Sequence, residues 1–223
     1  MASPILYIGN KNYSSWSMRP WLALKWGGLA FEENLIPLGG EGYGKSKIRD
    51  VLAVSPSGRV PALHVDGVVV YDSLAICEWA AERAPSLWPE EAGVRALARS
   101  AAAEMHAGFA GLRNDLSMNI RRRMARAPEI SDDARADLDR LFNLWSSLRS
   151  AHGSNGAFLF GARSIADAMF APVATRLRTY AISVPPEVQA YCDAIFADPA
   201  FRQWEADAIA ELWSIQQTES MYP

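Results

Sequence analysis

Cysteine is the residue this sequence has least of: two among 223 residues, Cys77 and Cys192, with no Cys-x-x-Cys pair and no cluster of cysteine with histidine. That spacing excludes a disulfide framework and a zinc site of ordinary ligand pattern, so no metal is expected and a reducing compartment is the simpler setting. An excess of positive charge is missing too. The 22 Lys and Arg against 25 Asp and Glu leave a formal net charge of −3, which argues against nucleic acid or an acidic membrane surface as the main partner. No stretch approaches roughly eighteen uninterrupted apolar residues, so no membrane-spanning helix is expected. The first residues pass straight into Ile5-Leu6-Tyr7-Ile8 without the basic and apolar segments of a leader, and a soluble cytoplasmic protein is the expectation. What remains is ordinary globular composition, half apolar and 21% charged, with enough chain for one large domain or two small ones.

The chain divides by pattern. Ile5 to Ile8 reads as a strand broken by Gly9-Asn10. Apolar residues then recur at Met18, Trp21, Leu22 and Trp26 up to Gly27-Gly28, a helical stripe. Pro20 is harmless only in a first helical turn, which puts the N-cap near Ser17. Residues 31–38 suggest a second strand, 39–44 a glycine-rich loop and 45–54 a short helix. Two β-rich runs around Asp66-Gly67 form a strong hairpin signal, and Asp72-Ser73 caps a helix over 74–83. The order βαβαββα defines an α/β domain over 1–84. Residues 85–89 are a proline-bracketed linker, and 90–223 read as an all-helical domain. There the patterns give a long helix over 90–124, others over 131–151, 186–196 and 199–212, a capped start at Ser164-Ile165-Ala166-Asp167, and a loose polar tail from Gln216.

Three small constellations carry chemistry, each with a bland alternative. Ser14, Ser15 and Ser17 lie where a strand end meets a helix start, a place of free N–H groups and positive dipole. Capping explains serines there, and so does a hydroxyl donating to an anionic sulfur or oxygen, worth about 1.5–3 kcal/mol. Val60-Pro61 is either a strand start or a cis peptide that turns the Val60 main chain toward an extended peptide-like ligand. Asp72-Ser73 is an N-capping pair that can also hold an ammonium and a carboxylate together.

The order and spacing of these three resemble the glutathione site of cytosolic glutathione transferases, and Ser164-Ile165-Ala166-Asp167-Ala168 resembles that family's helix-capping signature. The serine run is most similar to the zeta class, whose pattern is Ser-Ser-Cys-Ser, with Trp16 in place of the cysteine. The resemblance implies a thioredoxin-like first domain, a helical second domain and a homodimer. It implies glutathione as co-substrate, with Ser14, or its competitor Ser15, on the sulfur. Val60 and Pro61 would meet the cysteinyl part, Asp72 and Ser73 the γ-glutamyl end, and Lys45 the glycyl carboxylate. The family more often has Glu at Asp72, so this side chain is one methylene short and a water can intervene.

A small electrophile would bind between the domains beside Met105, His106, Phe109, Arg113, Asn114, Met118 and Asn119. Arg19 and Arg121-Arg122-Arg123 suit an anionic substrate, or else an ion pair and a solvated helix end. The function implied is a glutathione transferase in which a serine lowers the thiol pKa. Two alternatives stand: a glutathione-dependent cis–trans isomerase of a small diacid, similar to maleylacetoacetate isomerases, and a glutathione-fold protein that binds without turnover.

Overall fold

Residues 3–222 are described by a computed structural model. Strand β1 (Ile5–Ile8), helix α1 (Ser15–Trp26), strand β2 (Glu32–Leu35), helix α2 (Arg49–Val54), strands β3 (Ala62–Val65) and β4 (Val68–Tyr71) and helix α3 (Ser73–Arg83) follow in that order. The sheet order is β2-β1-β3-β4. β1 runs parallel to β2 and antiparallel to β3, and β3 pairs antiparallel with β4. This is the mixed four-stranded sheet expected of a thioredoxin-like unit. The β3–β4 turn needs positive φ at both central residues, and Asp66 (49°) and Gly67 (80°) supply it, which is why Asp-Gly marks such hairpins. Leu6 and Ile8 of β1 and Leu63 of β3 are fully buried and place the core beneath α1 and α3.

The start of α1 departs from the sequence reading. Ser14 is the N-cap and accepts from the Ser17 N–H, so the helix begins a turn earlier than Pro20 suggested and carries the proline inside it. Ser17 plays another part, since its hydroxyl accepts the Gly9 N–H at 3.1 Å and ties the helix to the end of β1. α2 is also shorter than expected, because Ser46 takes a positive φ of 53° and holds the chain out of the helix until Arg49.

After a 3-10 turn at Pro85–Leu87 come α4 (Ala92–Ala107), α5 (Ala110–Asp115), α6 (Asp132–His152), α7 (Ile165–Thr179), α8 (Pro186–Ala197), α9 (Pro199–Ala210) and α10 (Gln216–Glu219). The long helix expected over 90–124 is therefore two helices and an irregular segment. Phe109 adopts φ 59°, which ends α4, and Arg113 Nη2 gathers the freed carbonyls of Met105, His106 and Gly108. Helix α7 is the axis of this part. It packs on α1 and α4, and nearly every residue from Ile165 to Leu177 is buried.

The tail is docked, contrary to the loose end expected. Arg121 donates to the carbonyls of Glu211 and Trp213 and to Tyr13 Oη, and Arg122 donates to the Glu219 and Tyr222 carbonyls. Glu211 accepts the Lys11 and Asn12 N–H groups. Arg121 and Arg122 are thus a clamp on the tail, while Arg123 turns to Glu205. Among the described residues no helix is long and apolar enough to cross a membrane.

Candidate functional site

A cavity of about 700 Å³ opens where the N-terminus of α1, the loop before β3 and the start of α3 converge. Its wall includes Ser14, Val60, Pro61, Asp72, Ser73 and His106, so the three constellations that are separate in the sequence share one space. Each is placed by local folding. Ser14 is there because it caps α1; its hydroxyl donates to Ser17 Oγ at 2.7 Å. In that position it faces the cavity at the positive end of a twelve-residue helix, where an anion is stabilised. The Val60–Pro61 peptide is cis, and no hydrogen bond within the described residues uses the Val60 N–H or C=O.

Asp72 caps α3 from a positive φ of 81°. One carboxylate oxygen accepts the Leu74 N–H at 2.8 Å, and the other lies 3.2 Å from His106 Nε2. Ser73 Oγ is buried and has no partner among the described residues. An orphaned hydroxyl beside a carboxylate, at a helix start, is what an amino-acid end of a ligand would complete.

The remaining expected residues lie elsewhere. Ser15 faces inward and accepts from Arg176 Nη2 at 3.1 Å. Lys45 is exposed on its loop and does not line the wall, although its neighbours Gly44 and Ser46 do. Met105, Phe109 and Met118 are in the hydrophobic core, Met105 on α4, which packs on α7, and Phe109 against Phe170 of α7. Asn119 is buried, accepting from Asn12 Nδ2 and donating to Glu219. Arg113 closes the end of α4, and Asn114 is exposed. Of that group His106 alone lines the cavity.

Several wall residues escaped the sequence reading. Tyr13 and Trp16 alternate with the serines and so share their surroundings, a signal that was available. Tyr13 Oη donates to Glu219 and accepts from Arg121, and burial first of all raises its pKa. Arg176, which does not line the wall and lies some 160 positions from Ser15 in the chain, gave no local signal. Burial, with Arg113 next, lowers Arg19 to about 9 and Arg176 to about 10. Cys77 and Cys192 are free and buried. Burial pushes the Cys77 thiol well up and Cys192 to about 12, so neither is a nucleophile.

Comparison with known proteins bears on the family. Residues 13–83 match the family model "Glutathione S-transferase, N-terminal domain". A maleylacetoacetate isomerase of Pseudomonas aeruginosa is 30% identical over 212 residues, 89% of this chain and 93% of that protein. The mouse maleylacetoacetate isomerase is 34% identical over 116 residues, and the match spans about half the length of each chain, 50% of this one and 51% of the mouse protein. Among solved structures, a glutathione transferase homolog from Burkholderia with bound glutathione superposes with a TM-score of 0.69 at 26% identity, covering 94% of this chain and all of that one. The chain belongs to the cytosolic glutathione transferase family. Its relatives of known name put it beside the zeta-like members, the maleylacetoacetate isomerases.

Proposed function

We propose that the protein is a glutathione transferase in which Ser14 stabilises the glutathione thiolate for attack on a small electrophile. The observation that carries this reading is the single cavity wall shared by Ser14, Val60, Asp72 and Ser73. A tripeptide thiol needs an anion-stabilising hydroxyl, a main-chain pairing partner and a polar end-group site, and these residues offer all three. Asp72 and the free Ser73 hydroxyl would hold the γ-glutamyl ammonium and carboxylate. The unpaired Val60 main chain would hold the cysteinyl amide. On binding, the Ser14 hydroxyl would turn from Ser17 Oγ to the sulfur, while the Ser17 side chain keeps Gly9. The charge-assisted hydrogen bond and the helix field together lower the thiol pKa, and the larger thiolate fraction attacks an electrophile held beside Trp16 and His106.

The Pseudomonas relative, matched over nearly its whole length and named maleylacetoacetate isomerase, favours a second reading: glutathione-dependent cis–trans isomerisation of a small diacid, in which the thiolate adds and leaves again. One pair of assays separates the two. The transferase reading expects conjugation of an aryl halide well above the uncatalysed rate and little conversion of a maleyl compound; the reverse supports the isomerase. Retention on glutathione-agarose with neither rate means binding without turnover.

We further assign the glutathione-binding domain to residues 1–84, the linker to 85–89 and the acceptor domain to 90–223, in a cytoplasmic homodimer. The edge strand β4, with Val68 58% and Tyr71 47% exposed, supports the pairing of two chains.

A further inference from the structure

We propose that Trp16 determines acceptor selectivity by covering a buried cluster of guanidinium groups at the edge of the cavity. This rests on the reading of that cavity as the glutathione site. Arg19 is 1% exposed, yet its Nε and Nη1 have no hydrogen-bond partner among the described residues, and neither does Arg113 Nε. Among those residues no carboxylate forms an ion pair with Arg19, Arg113 or Arg176. Arg113 is occupied by carbonyls at the end of α4, and Arg176 by the Leu116 carbonyl and Ser15 Oγ. Arg19 and Arg176 are buried and Arg113 is half-buried; Asp72 and Asp137 act on Arg19 and Arg113 only from beyond ion-pairing distance, so the lost hydration is weakly offset by counter-charge.

The group set against them is an aromatic face. The Trp16 ring lies 4.3 Å from the Arg19 guanidinium carbon and 5.0 Å from that of Arg113. His106 meets the same ring edge-on, with centroids 5.5 Å apart. Trp16 lines the cavity, whereas Arg19, Arg113 and Arg176 do not. The indole therefore stands between the cavity and the positive charge and supplies the π density that partly offsets it. An acceptor resting next to Ser14 meets a flat apolar ring. A carboxylate that would pair with the guanidinium groups is kept from them. The ring thus biases the pocket toward neutral planar electrophiles and away from small anions.

The test compares wild type with Trp16→Ala, Trp16→Leu and Trp16→Phe. Two matched aryl chlorides serve as acceptors, 1-chloro-2,4-dinitrobenzene and 4-chloro-3,5-dinitrobenzoate. In both, the glutathione sulfur forms the new carbon–sulfur bond and chloride leaves with the electron pair. In Trp16→Ala the ratio of kcat/KM for the anionic over the neutral chloride rises about tenfold or more, while Trp16→Phe keeps the wild-type ratio. Trp16→Leu is much smaller than the indole and lacks its π face, so it uncovers the cations and shares the rise, and it decides the matter if the alanine variant does not fold. Calorimetric titration with succinate, without glutathione, shows affinity at least tenfold tighter in the alanine or leucine variant and weakened by salt. A ratio within twofold of wild type together with unchanged succinate affinity overturns the proposal. If wild type neither binds glutathione nor consumes either chloride, the glutathione reading fails, and the succinate titration alone decides the role of Trp16.

Discussion

Four donors converge on the buried carboxylate of Asp167: the N–H groups of Leu159 and Ser164, the Ser164 hydroxyl and the Tyr191 hydroxyl. The capping pattern Ser164-Ile165-Ala166-Asp167 was legible in the sequence, but the fold made it more than a cap, since the same side chain fixes the preceding loop and α8. Burial outweighs these donors and raises the Asp167 pKa from 3.8 to about 6. The folded state therefore holds this proton more tightly than the unfolded chain does. The associated stability is fully present below about pH 4 and is lost as pH rises through 6, a change of about 3 kcal/mol. Asparagine cannot titrate, so the stability advantage of wild type over Asp167→Asn should shrink across that window in urea melts; a difference constant with pH would refute the titration. Asp72 belongs to the cavity instead. Removing its charge in Asp72→Asn should raise the KM for glutathione about tenfold or more, the worth of one charge-assisted hydrogen bond, with little change in kcat. An unchanged KM would remove Asp72 from the γ-glutamyl site.

At the scale of elements, the strands, the hairpin and the order of helices could be read from periodicity and turn residues, because those signals are local. The errors arose where distant groups decide. A single Gly108 in an Ala-rich helical pattern gives no warning that Phe109 takes a left-handed conformation, which is stabilised by Arg113 reaching back to three carbonyls. Pro20 indicated a late start for α1, yet Ser14 caps it from farther back, and the reward for that start is the Ser17 bond to Gly9. The tail looked disordered because it is polar. Its partners, Arg121 and Arg122, lie about a hundred residues away. Arg121→Ala should therefore cost about 2–3 kcal/mol of stability, by the loss of charged hydrogen bonds, and should speed proteolysis of residues beyond 210. Unchanged stability and cleavage would mean that the tail is held by α10 packing alone.

For the whole molecule, the sheet part and the helical part interlock. Lys11 is 2% exposed, pairs with Glu33 and Asp207 and lies between the rings of Trp21 and Trp204. Trp204 Nε1 donates to the Lys11 carbonyl, and Trp26 Nε1 donates to Asp198. With this many buried contacts across the junction, the chain should unfold in one transition, with tryptophan fluorescence and far-UV circular dichroism coinciding. Two separated transitions would show that the halves are energetically independent. None of these pairs across the junction was visible in the sequence. The resemblance to a family supplied the architecture, and the junction came only from the fold. The same holds for the cavity: its serine, valine and aspartate were legible as fragments, and Arg19 and Arg113 as candidates, while their gathering with Arg176 behind Trp16 was not.

The most direct measurement is the ultraviolet thiolate absorbance of protein-bound glutathione, titrated in wild type, Ser14→Ala and Ser15→Ala. If Ser14 stabilises the sulfur, the bound thiol in wild type titrates below the free value of about 8.5. Ser14→Ala should return it upward by about one to two units, whereas Ser15→Ala, whose hydroxyl is turned to Arg176, should move it far less. A Ser14→Ala complex that titrates like wild type would contradict the serine mechanism.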